Sequence, residues 1–254
     1  RTCSAPGGRM VGAGSERVES AAKELFPTAR VARMDSDTMH RREDYERVLS
    51  AFGAGELDLL VGTQMIAKGL DFPRVTLVGI VNADSSLHLP DFRSAERTFQ
   101  LISQVAGRAG RAELPGRIVV QTENPEHPAV RFAARHEFAK FAAAELESRQ
   151  ALGYPPYGRL VRAVFEDEDG SKSAQVADAT VRRLHEALDG SDAVVLGPAP
   201  APLALVRNRY RHHCLVKVPV GSETLARARR LLLEVAAETT RPRVLVDVDP
   251  MAML

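Results

Sequence analysis

The stretch Leu57-Asp58-Leu59-Leu60-Val61-Gly62 is a short, mainly apolar run that is followed at once by the polar pair Thr63 and Gln64. Three similar runs occur in the first half of the chain, separated by segments of helical length: Arg30 to Met34, Val75 to Val81 and Arg117 to Gln121. Apolar strands that alternate with helices are typical of a parallel sheet with helices on both faces, because both surfaces of each strand are then buried. The first half is therefore predicted to be an α/β domain.

A second pattern begins after the helix-breaking stretch Gly153-Tyr154-Pro155-Pro156. Before it, His127 to Gln150 is rich in Ala, Glu and Arg and is predicted to be one long amphipathic connecting helix. Three alternate prolines between Gly197 and Pro202 predict an extended loop and exclude a central strand. Around that loop we expect a smaller α+β domain of four strands and two helices: Leu160 to Glu166, Ser171 to Leu188, Ala193 to Leu196, Cys214 to Val218, Ser222 to Glu238 and Arg243 to Asp247.

Charge, cysteine content and the length of apolar runs limit the classes of protein to which this chain can belong. The 34 Lys and Arg nearly balance the 33 Asp and Glu, so a net charge of +1 gives no global basic field, and any DNA contact must come from local patches. Two cysteines, Cys3 and Cys214, give no disulfide framework, which fits a reducing, cytoplasmic setting, and Cys214 is expected in the core. No apolar run approaches the roughly 18 residues that span a bilayer, and no signal peptide is evident. The chain does not begin with Met, which suggests a fragment.

The most informative segment for function is Gln104-Val105-Ala106-Gly107-Arg108-Ala109-Gly110-Arg111. Gln104, Arg108 and Arg111 are spaced i, i+4 and i+7, so a helix places an amide and two guanidiniums on one face, where they can converge on a polyanion. A guanidinium stays charged and offers a planar fork of donors to phosphate oxygens. The two glycines each cost a helix about 1 kcal/mol relative to Ala, which suggests that something approaches the backbone closely. A solvated basic helix face is the alternative.

A second polar segment is Gly62-Thr63-Gln64-Met65-Ile66-Ala67-Lys68-Gly69-Leu70-Asp71-Phe72-Pro73, which follows the predicted strand directly. Open α/β sheets bind ligands at the carboxyl ends of their parallel strands. Thr63 and Gln64 are therefore candidates for contact with a nucleic-acid backbone. An ordinary strand-to-helix turn with an aspartate cap is an equally good interpretation. The residues expected to face a nucleotide are Lys68, Gly69 and Asp71.

The strongest local basic patch is Arg207-Asn208-Arg209-Tyr210-Arg211-His212-His213. Its arginines alternate, so an extended strand would present Arg207, Arg209 and Arg211 on one face. With Tyr210 available, such a face can bind phosphates or stack on bases. A solvated strand end is an equally good interpretation.

The stretch Gly62 to Pro73 and the run Gln104 to Arg111, in that order along the chain, resemble helicase motifs V and VI of the PriA family, and the likeness covers nearly the whole chain. Motif VI alone indicates only a superfamily 2 helicase, whereas the order of the motifs is specific to PriA. The resemblance implies a remnant of a zinc-binding module at 1–14, a second RecA-like motor lobe with the connecting helix at 15–150, and a C-terminal α+β domain at 151–254. Further stretches that match the motor lobe are Ala83-Asp84, Pro90-Asp91-Phe92-Arg93 and Glu96-Arg97-Thr98-Phe99-Gln100. Those that match the C-terminal domain are Gly197 to Pro202, Arg207 to Arg211 and Asp247-Val248-Asp249-Pro250.

The resemblance also implies roles for single residues. Arg111 would be the arginine finger that reaches ATP bound to the other lobe, with Arg108 beside it and Gln104 positioning it. Thr63 and Gln64 would lie near single-stranded DNA. The residues that would sense the nucleotide are Lys68, Gly69, Asp71 and Gly107.

One residue departs from the family pattern. The family usually has His where this chain has Leu70, which neither hydrogen-bonds through its side chain nor titrates. Coupling between ATP and DNA is therefore expected to be weaker in this chain.

Cys3 is a candidate Zn²⁺ ligand by the same resemblance. Family members carry a zinc module of paired Cys-x-x-Cys elements whose last cysteine stands nine residues before a Gly-x-Gly, and Cys3 precedes Gly12-Ala13-Gly14 by that interval. Its partner ligands would lie upstream. A single thiolate cannot build the usual four-ligand structural site, and a lone cysteine is more often inert.

The sequence contains no Gly-x-x-x-x-Gly-Lys-[Ser/Thr] loop and no acidic Mg²⁺ box, so this chain by itself is not expected to hydrolyse ATP.

The intact protein is expected to be a 3′-to-5′ DNA helicase of replication restart, with ATP and Mg²⁺ held mainly by the other lobe. Expected partners are forked and single-stranded DNA, single-strand-binding protein and primosome loading proteins. We expect no membrane partner and a monomer. The alternative is a non-catalytic fork-binding scaffold, favoured only by Leu70 and the incomplete zinc cluster.

Overall fold

A computed structural model of the chain describes residues 14–63, 75–106 and 116–253. These residues form two compact units. The first contains the described residues up to His88 together with those of Glu96–Phe138, and the second contains Leu89–Ala95 together with 139–253. Within the described residues, no helix has the length and apolar character that crossing a membrane requires.

The first unit alternates helices with two pairs of parallel strands. Strand β1 pairs with β2 and β3 pairs with β4, so the parallel pairing that the sequence predicts is confirmed. The last register pair of the first sheet is Met34 with Gly62, so the residues that follow β1 and β2 emerge at the same edge. The elements that contribute to this unit are α1 (Ser15–Leu25), β1 (Val31–Met34), α2 (Arg42–Ala54), β2 (Leu59–Gly62), β3 (Leu77–Ile80), α3 (Asp84–Leu87), α4 (Ser94–Ala106), β4 (Arg117–Val120) and α5 (Pro128–Ala133).

Helix α2 shows how local sequence sets the bounds of an element. At its start, the Asp44 carboxylate accepts a hydrogen bond from the backbone N–H of Arg41 at 3.1 Å, which satisfies a donor that has no partner inside the helix. At its end, Gly55 adopts a left-handed conformation with φ of 79°, which glycine enters without a Cβ penalty. The hydrogen bond to Asp44 and the left-handed conformation of Gly55 therefore set the two ends of α2.

The single helix predicted from His127 to Gln150 is wrong, because two helices, α5 and α6 (Phe138–Leu152), replace it. Between them His136 has φ of 56°, a left-handed conformation that a continuous right-handed helix excludes. The Glu137 N–H donates to the Phe132 carbonyl at 2.9 Å, which closes the turn that ends α5.

The second unit is built on a four-stranded sheet of order β6-β7-β5-β8, in which every neighbouring pair is antiparallel. The four strands and two helices that the sequence predicts for this region are confirmed, although the strands are longer than expected. Besides α6, its elements are β5 (Gly158–Asp167), α7 (Gly170–Ala187), β6 (Val194–Val206), β7 (Arg209–Pro219), α8 (Thr224–Glu238) and β8 (Arg243–Val248).

The core of this unit lies between the sheet and helices α7 and α8. Val161, Ala163 and Phe165 of β5 pack there together with buried residues of both helices, as alternation along a strand requires. Cys214 lies in the same core and is 1% exposed, which confirms its predicted burial. Burial raises the pKa of the Cys214 thiol to about 12, so this thiol stays protonated at neutral pH.

The loop predicted from Gly197 to Pro202 is wrong in part, because these residues belong to β6. Strand β6 lies at the edge of the sheet, where a proline that lacks an N–H interrupts no central ladder. Its pairing with β7 is irregular between Leu196 and Ala199 and again between Pro200 and Leu205. The prolines therefore exclude a central strand, as predicted, but not an edge strand.

Replacing Phe165 with Ala tests this core. Phe165 is fully buried, so we expect the variant to lose about 3–5 kcal/mol of unfolding free energy. Three of the four tyrosines lie in the second unit: Tyr154, Tyr157 and Tyr210. Tyrosine fluorescence during urea denaturation therefore follows mainly the unfolding of this unit. Leu233→Ala on α8, at a residue 50% exposed, is the control and should cost less than about 1 kcal/mol. Equal losses of unfolding free energy in the two variants would contradict the buried packing of Phe165.

Candidate functional site

The residues that the sequence predicts for function divide into two groups. Those within the described residues are Thr63, Gln104, Arg207, Arg209 and Arg211. Those that lie outside the described residues are Cys3, Gln64, Lys68, Gly69, Asp71, Gly107, Arg108 and Arg111.

Helix α4 carries Gln104. The prediction that a helix runs through this residue is confirmed, since α4 spans Ser94–Ala106. Phe99, Ile102 and Val105 are buried, at 5%, 1% and 7% exposure, whereas Gln104 is exposed. The helix therefore buries one apolar face and presents the Gln104 amide on another, where it is free to meet a polar ligand.

Two residues follow the first parallel strand pair at its carboxyl edge. Thr63 comes directly after β2 and is exposed, as a ligand-contacting residue must be. Asp35 comes directly after β1 and is 3% exposed, and its carboxylate accepts hydrogen bonds from the Ser15 hydroxyl and from the Thr38 N–H and hydroxyl, the latter two at 3.0 Å. The bond from Ser15 contributes most to holding the pKa of Asp35 below its usual value. Asp35 therefore fixes the start of α1 to this edge.

A second buried carboxylate, Asp84, lies at the carboxyl end of the other strand pair. It accepts hydrogen bonds from the Asn124 amide at 2.9 Å, the Glu123 N–H at 2.8 Å and the Thr122 hydroxyl at 3.0 Å. These bonds, with the one from Asn124 first, hold the pKa of Asp84 below its usual value. Asp84 thus ties the chain after β3 to the chain after β4. Its partners are distant in sequence, so no local pattern indicates this role.

Replacing Asp84 with Asn keeps the size of the side chain but removes the charge that these donors stabilise. Because the folded pKa is lowered, the carboxylate stabilises the fold above its unfolded pKa of about 4, and the contribution is lost as the pH falls through the folded pKa. We expect faster amide hydrogen exchange in the peptide that covers β4 at pH 7, and a difference that shrinks below about pH 4. Exchange of the exposed-site variant Asp189→Asn should match the wild type. A difference independent of pH would contradict the charge argument.

The basic run near residue 210 lies on a hairpin. Strands β6 and β7 pair up to Val206 with Arg209, so Arg207 and Asn208 form the two-residue turn, with φ of 49° and 62°. Arg209 and Arg211 lie two residues apart on β7 and share one face. Arg207 lies in the turn, so the prediction that all three arginines share a strand face is wrong.

Tyr210 lies on the opposite face of β7 from those arginines. Its ring packs against the start of α7 so closely that a Cβ on Gly170 would come within 3.1 Å of it. The next residue on that face, His212, has its Nδ1 2.7 Å from the hydroxyl of Ser173 in α7. Arg209 and Arg211 therefore lie on one face of β7 and Tyr210 on the other.

The cations of this hairpin differ in how far their charge is already compensated. The Arg211 Nε lies 2.9 Å from a carboxylate oxygen of Glu166, and both side chains are mostly buried. The Arg209 guanidinium is 3.9 Å from Glu168, and both side chains are exposed, so this pair is weak. Burial, with the nearby guanidiniums of Arg162 and Arg211, lowers the pKa of His213 to about 4, so His213 is neutral at pH 7. Arg207 and Arg209 are the cations left for an anionic ligand.

No cluster of three or more His, Cys, Asp or Glu side chains among residues 14–63, 75–106 and 116–253 could hold a metal ion. Cys3 lies outside these ranges. The assignment of Cys3 to zinc therefore stays a prediction from sequence.

Two protein families match the chain, one for each part. Residues 10–113 match the helicase conserved C-terminal domain, and residues 150–251 match the primosomal protein N C-terminal domain. Together with the parallel strand pairs and the antiparallel sheet, these matches define the class: a RecA-like helicase C-terminal lobe followed by a primosomal C-terminal domain.

Relatives of the chain carry the name Replication restart protein PriA. The chain is 43% identical to the Bacillus subtilis protein over 95% of this chain and 30% of that one. It is 40% identical to the Synechocystis protein over 99% of this chain and 30% of that one, and 43% identical to the Treponema pallidum protein over 97% and 37%. The chain belongs to the PriA family, which confirms the resemblance in its motifs. It spans about a third of the length of these relatives.

Proposed function

We propose that the chain supplies the second motor lobe (15–150) and the C-terminal domain (151–254) of an ATP-dependent 3′-to-5′ DNA helicase that recognises stalled or branched forks in replication restart and promotes primosome assembly. The observation that carries the proposal is the order of two matches on one chain, a helicase C-terminal domain and then the primosomal C-terminal domain. Identity of 36–43% to named replication restart proteins over at least 94% of the chain supports it.

In this proposal the arginine run acts on ATP held mainly, with Mg²⁺, by the other lobe. Arg111 is the arginine finger, which places a permanent positive charge where charge develops on the transferred phosphoryl group. Arg108 acts on the same nucleotide and Gln104 positions the finger, and the exposure of Gln104 on α4 supports this role. The remaining nucleotide-sensing residues are Lys68, Gly69, Asp71 and Gly107.

DNA is proposed to meet both domains. Thr63 and Gln64 contact single-stranded DNA at the carboxyl edge of the first strand pair, which the exposure of Thr63 supports. On the C-terminal domain, Arg207 and Arg209 contact phosphates, whereas Arg211 contributes little because it already pairs with Glu166.

The intact protein is proposed to bind further groups and partners. Cys3 would supply one thiolate to a structural zinc site that is completed by upstream cysteines. Single-strand-binding protein and primosome loading proteins are the proposed protein partners. We expect the protein to act as a monomer in the cytoplasm.

Arg111→Ala in the full-length protein tests the motor role. We expect the DNA-stimulated ATPase kcat on a forked substrate to fall by at least about 100-fold at matched salt, because the finger acts in the transition state. Fork affinity should stay within about twofold. Arg17→Ala, at an exposed arginine of α1, is the matched control and should leave kcat unchanged. If the wild type binds forks yet hydrolyses no ATP, a non-catalytic scaffold replaces the motor.

The hairpin cations predict a distinct salt dependence of fork binding. Arg207→Ala and Arg209→Ala should each reduce the slope of log affinity against log salt by about 1, because each removes one phosphate contact. The double variant Glu166→Gln/Arg211→Gln removes an ion pair without changing net charge and should leave the slope unchanged. Fluorescence anisotropy of a labelled fork over a range of salt concentrations measures these slopes. If the double variant lowered the slope as much as Arg207→Ala or Arg209→Ala does, Arg211 would be a residue that contacts DNA.

A further inference from the structure

The end of the hairpin formed by β6 and β7 carries exposed apolar side chains. Leu203, Leu205 and Tyr210 are 50%, 55% and 46% exposed. Leu205 lies directly opposite Tyr210 in the register of the two strands, so their side chains point to the same face of the sheet and adjoin. Single exposed apolar residues are ordinary on a protein surface, whereas an adjoining pair at the end of an edge hairpin offers a surface for contact.

The Tyr210 ring is held from one side by the start of α7. A Cβ on Gly170, the first residue of that helix, would lie 3.1 Å from Cγ and 3.3 Å from Cδ1 of the ring, so the approach is as close as a glycine permits. About half of Tyr210 stays exposed in this position. A ring that is ordered before binding loses little conformational freedom when a ligand stacks on it.

Two cations flank the apolar pair. Arg207 lies in the turn and Arg209 begins β7, and both are exposed. The exposed Glu168 carboxylate, 3.9 Å from the Arg209 guanidinium, offsets part of this positive charge. A ligand held by charge alone therefore gains little at this hairpin. A ligand that carries both a phosphate and a flat aromatic group gains from the cations and from the apolar pair together.

We propose that Leu205 and Tyr210 bind an unpaired nucleobase of single-stranded DNA, while Arg207 and Arg209 bind the phosphates beside it. This inference rests on the proposed function, and it adds a base contact to the phosphate contacts of the hairpin. The base must be unpaired, because both faces of a base inside a duplex are covered by its neighbours. Every base has a π face, so the contact does not depend on sequence.

The test measures binding of the full-length protein to forks that each carry one abasic residue, placed in turn along the unpaired strands next to the junction. For the wild type, loss of the base that meets Tyr210 should raise the fork Kd by about tenfold. Tyr210→Ala should raise the Kd of the intact fork by a similar factor. At that one position the abasic residue should then cost the variant less than about twofold, because the same contact has already been removed.

Further variants separate stacking from charge and from folding. Tyr210→Phe keeps the ring and should match the wild type at every position. Tyr157→Ala, at a tyrosine that is 38% exposed in the same unit, is the matched control and should also match it. Leu205→Ala should raise the Kd by about threefold and weaken the effect of the same abasic position, even if Tyr210→Ala does not fold. Tyr210→Ala should leave the slope of log affinity against log salt unchanged, since it removes no cation.

The outcomes distinguish this inference from the proposed function. If the wild type binds forks and no abasic position depends on Tyr210 or Leu205, the base contact is overturned and the proposed function stands. If folded Tyr210→Ala lowers the salt slope, Tyr210 acts only by placing the arginines, and the base contact is again overturned. If the wild type binds no fork, the proposed function itself fails, and the base contact fails with it.

Discussion

The burial of β5 on both faces is the constraint on which the second unit depends. This strand lies between β7 and β8, and each residue from Leu160 to Phe165 is 5% exposed or less. Helices α7 and α8 cover one face. The other face is covered around Leu160 by Leu215 and Met253, with Phe92 and Tyr154 packed against them. Hydrophobic burial of a central strand thus draws the segment before α4 and residues near 253 onto one sheet.

The same burial decides which cations remain for a ligand. Arg162 lies on the covered part of β5 and is 4% exposed, and Arg211 is paired with Glu166. Where the two-stranded hairpin extends to the turn, Arg207 and Arg209 stay exposed. On this hairpin, the positive charge that is neither buried nor closely paired therefore lies at Arg207 and Arg209.

The sequence was informative where a local pattern has one physical cause. Short apolar runs separated by segments of helical length predicted the parallel pairs, because parallel strands need a crossover connection of about that length. The break between α5 and α6 could not be predicted, because neither Gly nor Pro occurs at 134–137 and His136 takes the left-handed conformation instead. The hairpin turn was missed because Arg207 has no turn preference, and the role of Asp84 because its partners follow 38–40 residues later. The finger role of Arg111 comes from the resemblance of the motifs and stays a prediction, since Arg111 lies outside the described residues.

The stretch Pro90-Asp91-Phe92-Arg93 resembles a family motif in sequence, and the structure adds a physical reason for the residue types in it. The requirement to cover β5 explains why Phe92 is aromatic, since a flat ring can stack on Tyr154 and still accept the cations of Arg93 and Arg149. The same anchor fixes the first turn of a helix that leads to Gln104. Because Asp91 accepts from the Arg93 N–H and the Ser94 hydroxyl donates to the Asp91 carbonyl, the segment that covers β5 also sets where α4 begins.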